Sequence, residues 1–272
     1  MTILHAFLLG IVQGLTEFVP VSSTAHLLLG QTLLGLQSDD RMFAFQVIVQ
    51  MGTVLALLVF FWRDFFHIIR SFLLGIWHRR PFENHDSQLG WLVIIATIPA
   101  LIVGFLLKDV VENMFKDPPL QAGVRLIMSA ILLASVEYFA RHERKLESAT
   151  WLDALSVGLF QILALFPGAS RSGSTIAGGM ARGFDRPSAA RLAFIMSAPI
   201  LLAAGGYEML HVIAMTGTRA FLPFLVTGFF TAAIVGWFSL KWLLSYLNGH
   251  SFYFFAIYCF VIGSITLLAR LF

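Results

Sequence analysis

Cysteine is nearly absent from this chain. The lone Cys259 sits inside an apolar run, so a disulfide framework and a cysteine metal site are both excluded. A buried free thiol is what remains. Charge is scarce as well. Asp, Glu, Lys and Arg make up 12% of the residues, where a soluble domain carries about 25%. Hydrophobic residues make up 58% and the mean hydropathy is +0.83. A soluble domain is excluded; the composition is that of an integral membrane protein. The formal net charge is only +3. Its Lys and Arg fall in short loops, a pattern of membrane orientation and not of nucleic-acid binding. The first residues lack a Lys/Arg-rich start and carry Glu17 and His26 within their apolar stretch, so a cleaved signal peptide is not expected. No linker or low-complexity tract interrupts the sequence.

Long apolar runs are what the sequence has in quantity. Six are long enough to cross a bilayer, which takes about 20 residues: 43–62, 91–108, 121–140, 188–210, 221–244 and 252–271. Residues 65–77 are too few to cross, are flanked by Arg63, Arg79 and Arg80, and read as an interfacial helix. Trp62, Trp77, Trp91 and Trp151 near the ends fit interfacial belts. Two further stretches, 2–36 and 151–181, are broken by polar residues at Glu17–Ser23 and Pro167–Ser174. Each half is about a dozen residues and as a helix reaches only about 20 Å, short of the ~30 Å hydrocarbon core. Both are predicted to be re-entrant helical hairpins, whose irregular tips are tolerated only where buried in protein or lining a wet cavity.

The two halves match each other. Gly10-Ile-Val-Gln13 aligns with Gly158-Leu-Phe-Gln161, Phe18 with Phe166, Pro20–Ser23 with Pro167–Ser170, and Ala100–Gly104 with Ala232–Gly236. Residues 1–145 and 146–272 would each hold one hairpin and three spans. An odd number of spans makes the second copy enter from the opposite face, so the expected fold is an all-α polytopic membrane protein in an inverted-topology repeat. One side would receive Arg63, Arg70, Arg79, Arg80, Arg141, Arg144, Lys145, Arg182, Arg186, Arg191 and Lys241. The other would receive Arg41, Lys108, Lys116, Arg125, Arg219 and Arg270. The richer side is expected to be cytoplasmic. The hairpin tips would then meet inside the membrane.

At the first tip Pro20 is expected to stop the incoming helix, and Ser22 or Ser23 to cap the outgoing one. At the second, Pro167-Gly168 makes the turn and Ser170 to Ser174 opens a helix. Each outgoing half-helix would present free N–H groups and a positive dipole end, and two such ends facing one another make an anion site. Gly168 and Gly173 allow close backbone approach. Arg171 adds a planar fork suited to phosphate. Ser23 lies three residues before His26, on the same helix face, with Glu17 near: the layout of an activated nucleophile. Glu17 with phosphate oxygens could also hold Mg2+ or Ca2+. On the residues alone, catalysis and a transporter that merely binds an anion stand level. Taken singly, His26 reads as a satisfied histidine, Ser22, Ser23 and Thr24 as caps, and Arg171 as a counter-ion; jointly, at two broken tips, they read as a site. Glu137 is expected to snorkel near Arg141. Glu208 has no assigned role. Gln50 and Gln161 are expected to bond between helices, with Gln50 able to face the site.

The motifs Gln13-Gly-Leu-Thr-Glu17-Phe-x-Pro20-x-Ser-Ser-Thr24-x-His26 and Pro167-Gly-x-Ser-Arg171-Ser-Gly-x-Thr175 resemble the two signatures of bacterial undecaprenyl-diphosphate phosphatases of the bacitracin-resistance type. That family accepts Glu or Gln where Gln13 stands, so its usual pair of acids is one here and the weight falls on Glu17. The resemblance implies release of the terminal phosphate of undecaprenyl diphosphate, the lipid carrier of wall precursors, and bacitracin resistance. It implies a divalent cation and a site open to the outer side of the plasma membrane, and it allows a homodimer. Ser23 is then the leading nucleophile and Glu17 a cation ligand or base. His26 assists proton transfer and Arg171 clamps the phosphoryl oxygens. Gln13, Ser22, Thr24, Gly168, Ser170, Ser172, Gly173 and Thr175 form the substrate cradle. Direct attack by water, with His26 as base, is the competing scheme. A polyprenyl-phosphate flippase would use the same anion site without a nucleophile. A type 2 phosphatidic acid phosphatase would place a His after Ser-Arg and five residues, and neither Ala177 nor Gly178 is one.

Overall fold

A computed structural model describes residues 1–107, 118–164, 170–215 and 218–269. The helices in chain order are α1 (Ile3–Thr16), α2 (Ser23–Leu33), α3 (Asp40–Phe60), α4 (Trp62–Trp77), α5 (His85–Leu106), α6 (Pro118–Phe139), α7 (Trp151–Leu163), α8 (Arg171–Met180), α9 (Arg186–Ala214), α10 (Thr218–Tyr246) and α11 (Tyr253–Ala269). Five of them, α3, α5, α6, α9 and α10, are long and apolar enough to cross a membrane. The sixth predicted span is α11, with 17 described residues. The chain is an all-α polytopic membrane protein.

The spans begin where side chains satisfy the free N–H groups of a first turn. Asp39, Asn84 and Asp185 accept from the backbone N–H of Met42, Ser87 and Ser188, each at 2.8 Å. These caps start α3, α5 and α9 two to six residues earlier than the apolar runs do. Helix α4 leaves Trp62, Phe66, Ile69, Leu73 and Trp77 exposed along one face, at the spacing of an interfacial helix, and packs Ile68 and Gly75 inward. Trp62, Trp77 and Trp151 are exposed near helix ends, whereas Trp91 packs against Phe72 and Phe82.

The pairs α1/α2 and α7/α8 hold 14 and 11, and 13 and 10 residues. None is long enough to cross. Each pair folds back on itself, and its first helix lies along a span of the other half: α1 along α10, and α7 along α5. Glycines permit both seams. A Cβ at Gly10 would sit 2.9 Å from the Gly228 carbonyl oxygen, and one at Gly158 only 2.6 Å from that of Ala96. Under the sequence match, Gly10 corresponds to Gly158, and Ala96 and Gly228 stand four residues before the matched Ala100 and Ala232.

The basic residues knit one end of the bundle. Asp153, fully buried at the start of α7, accepts from Arg144 at 2.7 and 2.8 Å, from Arg182 at 2.7 Å, and from the Thr150 N–H and hydroxyl at 2.8 and 2.7 Å. Burial alone would push its carboxyl up; the hydrogen bonds overcome that and hold it well below the usual carboxylate range. Lys145 pairs with Asp185, and Arg191 with Asp64. Glu137 does not snorkel toward Arg141. It is buried, forks with Arg186 at the start of α9, and accepts from the Phe252 N–H at 3.1 Å. The reason is position: α6 ends where α9 and α11 begin, and their cation and free N–H outbid water for the carboxylate.

Candidate active site

Helix α1 ends at Thr16, four residues ahead of the expected stop at Pro20. Glu17 is its C-cap, its N–H donating to the Gln13 carbonyl at 3.0 Å. The chain then turns through Phe18–Val21 to Ser22, which stands at the N-cap position of α2 but makes no side-chain cap. Its backbone is left-handed, φ 67° and ψ 86°, an uncommon state for serine. That kink carries the chain into α2 with Ser23 pointing back at Glu17.

Glu17 is the hub. Its Oε2 accepts from the Ser23 hydroxyl at 2.7 Å and from Gln13 Nε2 at 2.8 Å, and its Oε1 pairs with Arg171 Nη2. Gln13 also donates to Thr53 at 3.3 Å. Gln13 is therefore a buried prop for the carboxylate and not part of the cavity wall. The Gln50 carboxamide oxygen, turned to Arg171, accepts from Nη1 and Nη2 at 3.2 and 3.3 Å. Gln50 therefore meets both expectations: it bonds between helices, α3 to α8, and it faces the site.

Arg171 opens α8. Ser170 caps that helix, its hydroxyl accepting from the Gly173 N–H at 3.3 Å, where the sequence places only a helix start at Ser170 to Ser174. The Ser172 hydroxyl meets Ser170 Oγ at 3.2 Å and the Val19 carbonyl at 3.4 Å. The tips of the two short-helix pairs thus touch, and α8 points its positive end at the Ser23 tip. Gly173 packs toward Pro20. Thr175 is turned away: buried, it returns its hydroxyl to the Arg171 and Ser172 carbonyls. Gly168, Pro167 and the turn they were expected to make lie outside the described residues.

His26 faces elsewhere. Its Nδ1 lies 3.0 Å from the Ser22 carbonyl and its Nε2 2.8 Å from the Tyr258 hydroxyl. A carbonyl only accepts, so Nδ1 carries the proton and the Tyr258 O–H donates to Nε2. The rings stack 5.6 Å apart. Among the described residues no hydrogen bond joins His26 to Ser23. In this arrangement the imidazole braces the left-handed turn.

Between the tips lies a cavity of about 220 Å³, lined by Ser22, Ser23, Thr24, Gln50, Ser170 and Arg171, and also by Arg125, Gln161, Ile200 and Ala204. Gln161 donates to the Ala96 carbonyl at 3.2 Å, the expected interhelix bond, and leaves its side-chain oxygen without a partner. Arg125, Thr53 and Tyr258 were not singled out in the sequence. Arg125 had a signal, being a cation inside a predicted span. Its place near the span's start masks that signal, since by position it groups with the loop charges.

Among the described residues no three His, Cys, Asp or Glu side chains gather into a cation cage. Glu17 stands behind the cavity wall, bonded to the lining residues Ser23 and Arg171, and both its oxygens already accept from donors. A Mg2+ or Ca2+ ion fits here only as one shared between Glu17 and the phosphate oxygens of a bound ligand.

Hydroxyls, two guanidinia and a helix N-terminus line one cavity inside a bundle of apolar spans, which defines a polytopic membrane protein with an interior surface complementary to negative charge. The sequence model of the family described as "Bacitracin resistance protein BacA" matches residues 6–265. The chain is 40% identical over 281 residues to the "Undecaprenyl-diphosphatase" of Chloroherpeton thalassium, an alignment covering 100% of this chain and 97% of that protein. It is 41% identical over 266 residues to that of Anaeromyxobacter dehalogenans strain 2CP-1, covering 97% and 90%. To that of Myxococcus xanthus it is 38% identical over 267 residues, covering 98% and 89%. The chain belongs to the BacA family.

Proposed function

We propose that this protein is an undecaprenyl-diphosphate phosphatase of the bacterial plasma membrane, releasing the terminal phosphate and regenerating the monophosphate carrier. One observation carries the reading: the Ser23 hydroxyl donates to a carboxylate oxygen of Glu17 at 2.7 Å, beside Arg171, in the wall of a cavity at the N-terminus of α8. Ser23 Oγ attacks the distal phosphorus and its proton passes to Glu17. The bond from that phosphorus to the bridging oxygen breaks, and the lipid monophosphate leaves with the electron pair. Water then cleaves the phosphoserine and frees inorganic phosphate. Arg171 and the α8 N–H groups hold the equatorial oxygens, where charge builds. His26 and Tyr258 hold the turn that aims Ser23. A divalent cation shared by Glu17 and the diphosphate would neutralise phosphate charge when bound.

The short helix pairs are re-entrant hairpins of an inverted repeat in this reading, supported by their length and by the matched glycine seams. The basic end is cytoplasmic and the cavity opens to the outer face, which keeps the polyprenyl tail in lipid while phosphate leaves to water. Abundant enzyme would then deplete the lipid diphosphate that bacitracin binds.

The test is phosphate release from a polyprenyl diphosphate by purified protein in detergent. Glu17→Gln and Ser23→Ala are expected to lose about 10²–10⁴-fold in turnover while still binding substrate, and chelation is expected to stop release until Mg2+ or Ca2+ is restored. Undiminished turnover in Ser23→Ala would remove the phosphoserine step. Lipid translocation without phosphate release would replace the phosphatase by a flippase.

A further inference from the structure

Arg125 is the group in the cavity that the scheme above leaves unused. It lies on α6, a span, and lines the same cavity as Arg171. The two arginines differ in what answers their charge. Arg171 is paired with Glu17 and Gln50. Arg125 has no carboxylate within ion-pair range among the described residues, and its Nε is buried without a hydrogen-bond partner. An unanswered guanidinium inside a membrane protein is costly, and its usual justification is an anion that visits. Its placement is fixed. One turn along α6, the Ser129 hydroxyl accepts from the Ser170 N–H at 3.2 Å, which ties this helix to the residue that caps α8. Gln161, with a free side-chain oxygen, stands in the same wall, and the Ile200 and Ala204 side of the cavity is apolar.

We propose that Arg125 binds the proximal phosphate, the one that stays on the lipid, while Arg171 takes the distal phosphate that is transferred. This rests on the phosphatase reading and divides its substrate between two guanidinia. When the bond between the bridging oxygen and the distal phosphorus breaks, the electron pair stays on the leaving monophosphate, and Arg125 faces that growing charge. One water is consumed over the cycle and the products are lipid monophosphate and inorganic phosphate. Arg125 then distinguishes a diphosphate from a lone phosphoryl group, because a single phosphate engages one arginine and a diphosphate engages both.

The experiment compares wild type, Arg125→Gln, Arg125→Lys and Arg171→Gln in detergent, with polyprenyl diphosphate as substrate and two products as inhibitors. Arg125→Gln is expected to raise KM and the inhibition constant of polyprenyl monophosphate about tenfold or more, and to leave inhibition by inorganic phosphate within twofold. Arg125→Lys should recover part of the loss. Arg171→Gln should weaken inorganic phosphate. Unchanged inhibition by the lipid monophosphate in Arg125→Gln, or equal loss of inorganic phosphate, overturns the assignment. The rise in melting temperature with each product is read on the same samples. A wild type that releases no phosphate would sink the phosphatase reading, while the melting shifts would still decide what Arg125 binds.

Discussion

Ser22 carries a backbone conformation that most residues avoid, and its neighbours hold it there. Val21 donates to the Val19 carbonyl at 2.7 Å, and His26 draws on the Ser22 carbonyl with both its backbone N–H and its ring. Left-handed backbone at a non-glycine residue costs about 1–3 kcal/mol and tends to sit at functional sites. Ser22→Gly should therefore keep or raise the melting temperature in detergent, whereas Ser22→Val should lower it, since a β-branched side chain tolerates this φ poorly. Equal melting of the two variants would show that the turn is not held in this conformation. At this scale the sequence was informative where chemistry is out of place. Glu17, Ser23 and Arg171 stood out as polar groups in apolar runs, and they meet. Tyr258 did not, because its partner His26 is 232 residues away in the chain and nothing local marks a tyrosine in an apolar helix as polar. The orientation of His26 was equally hidden: spacing put it on the Ser23 face, but the bend at Ser22 decides where its ring goes.

Helices here are set by two signals of unequal strength. Apolar length gave the spans, while the caps Asp39, Asn84 and Asp185 set where three of them begin. The broken pairs were legible because their halves are too short to cross and their breaks are polar. What a single sequence could not give was the seam each pair makes. Gly158 is the sharpest case, since a Cβ there meets backbone of α5, which cannot move aside as a side chain would. Gly158→Ala should lower stability by about 1–3 kcal/mol through overpacking, read as a lower melting temperature, with Gly158→Leu falling further. A Gly158→Ala protein that melts with wild type would mean that α7 does not lie this close to α5.

Across the whole molecule, a set of ion pairs ties helices together. Asp153 joins Arg144 and Arg182, and its carboxyl is held below the usual range. The sign follows. With the folded pKa depressed, this contribution is complete above the unfolded value of about 3.9 and fades as pH falls through the folded one. Thermal stability should drop on acidification below about pH 4. Asp153→Asn should be less stable at neutral pH by about 3 kcal/mol, because it strands two cations, and should respond less to acid. Equal acid responses would remove Asp153 from the account. Orientation is tested separately. In a Cys259→Ala background, Gln37→Cys should react with a membrane-impermeant maleimide on intact cells, and Glu147→Cys only after permeabilisation. The reverse pattern would invert the proposed topology. Counting positive charges in the sequence yields an expected orientation, but Glu137 shows the limit of that reading: its partner Arg186 lies on a helix that composition alone cannot bring near.

Arg171 reaches from one half of the chain to Glu17 in the other, so a single guanidinium clasps the two tips. On the proposed reading, a phosphate arriving between them would compete with Glu17 for the guanidinium, so binding the headgroup and fastening the two halves together would draw on the same side chain.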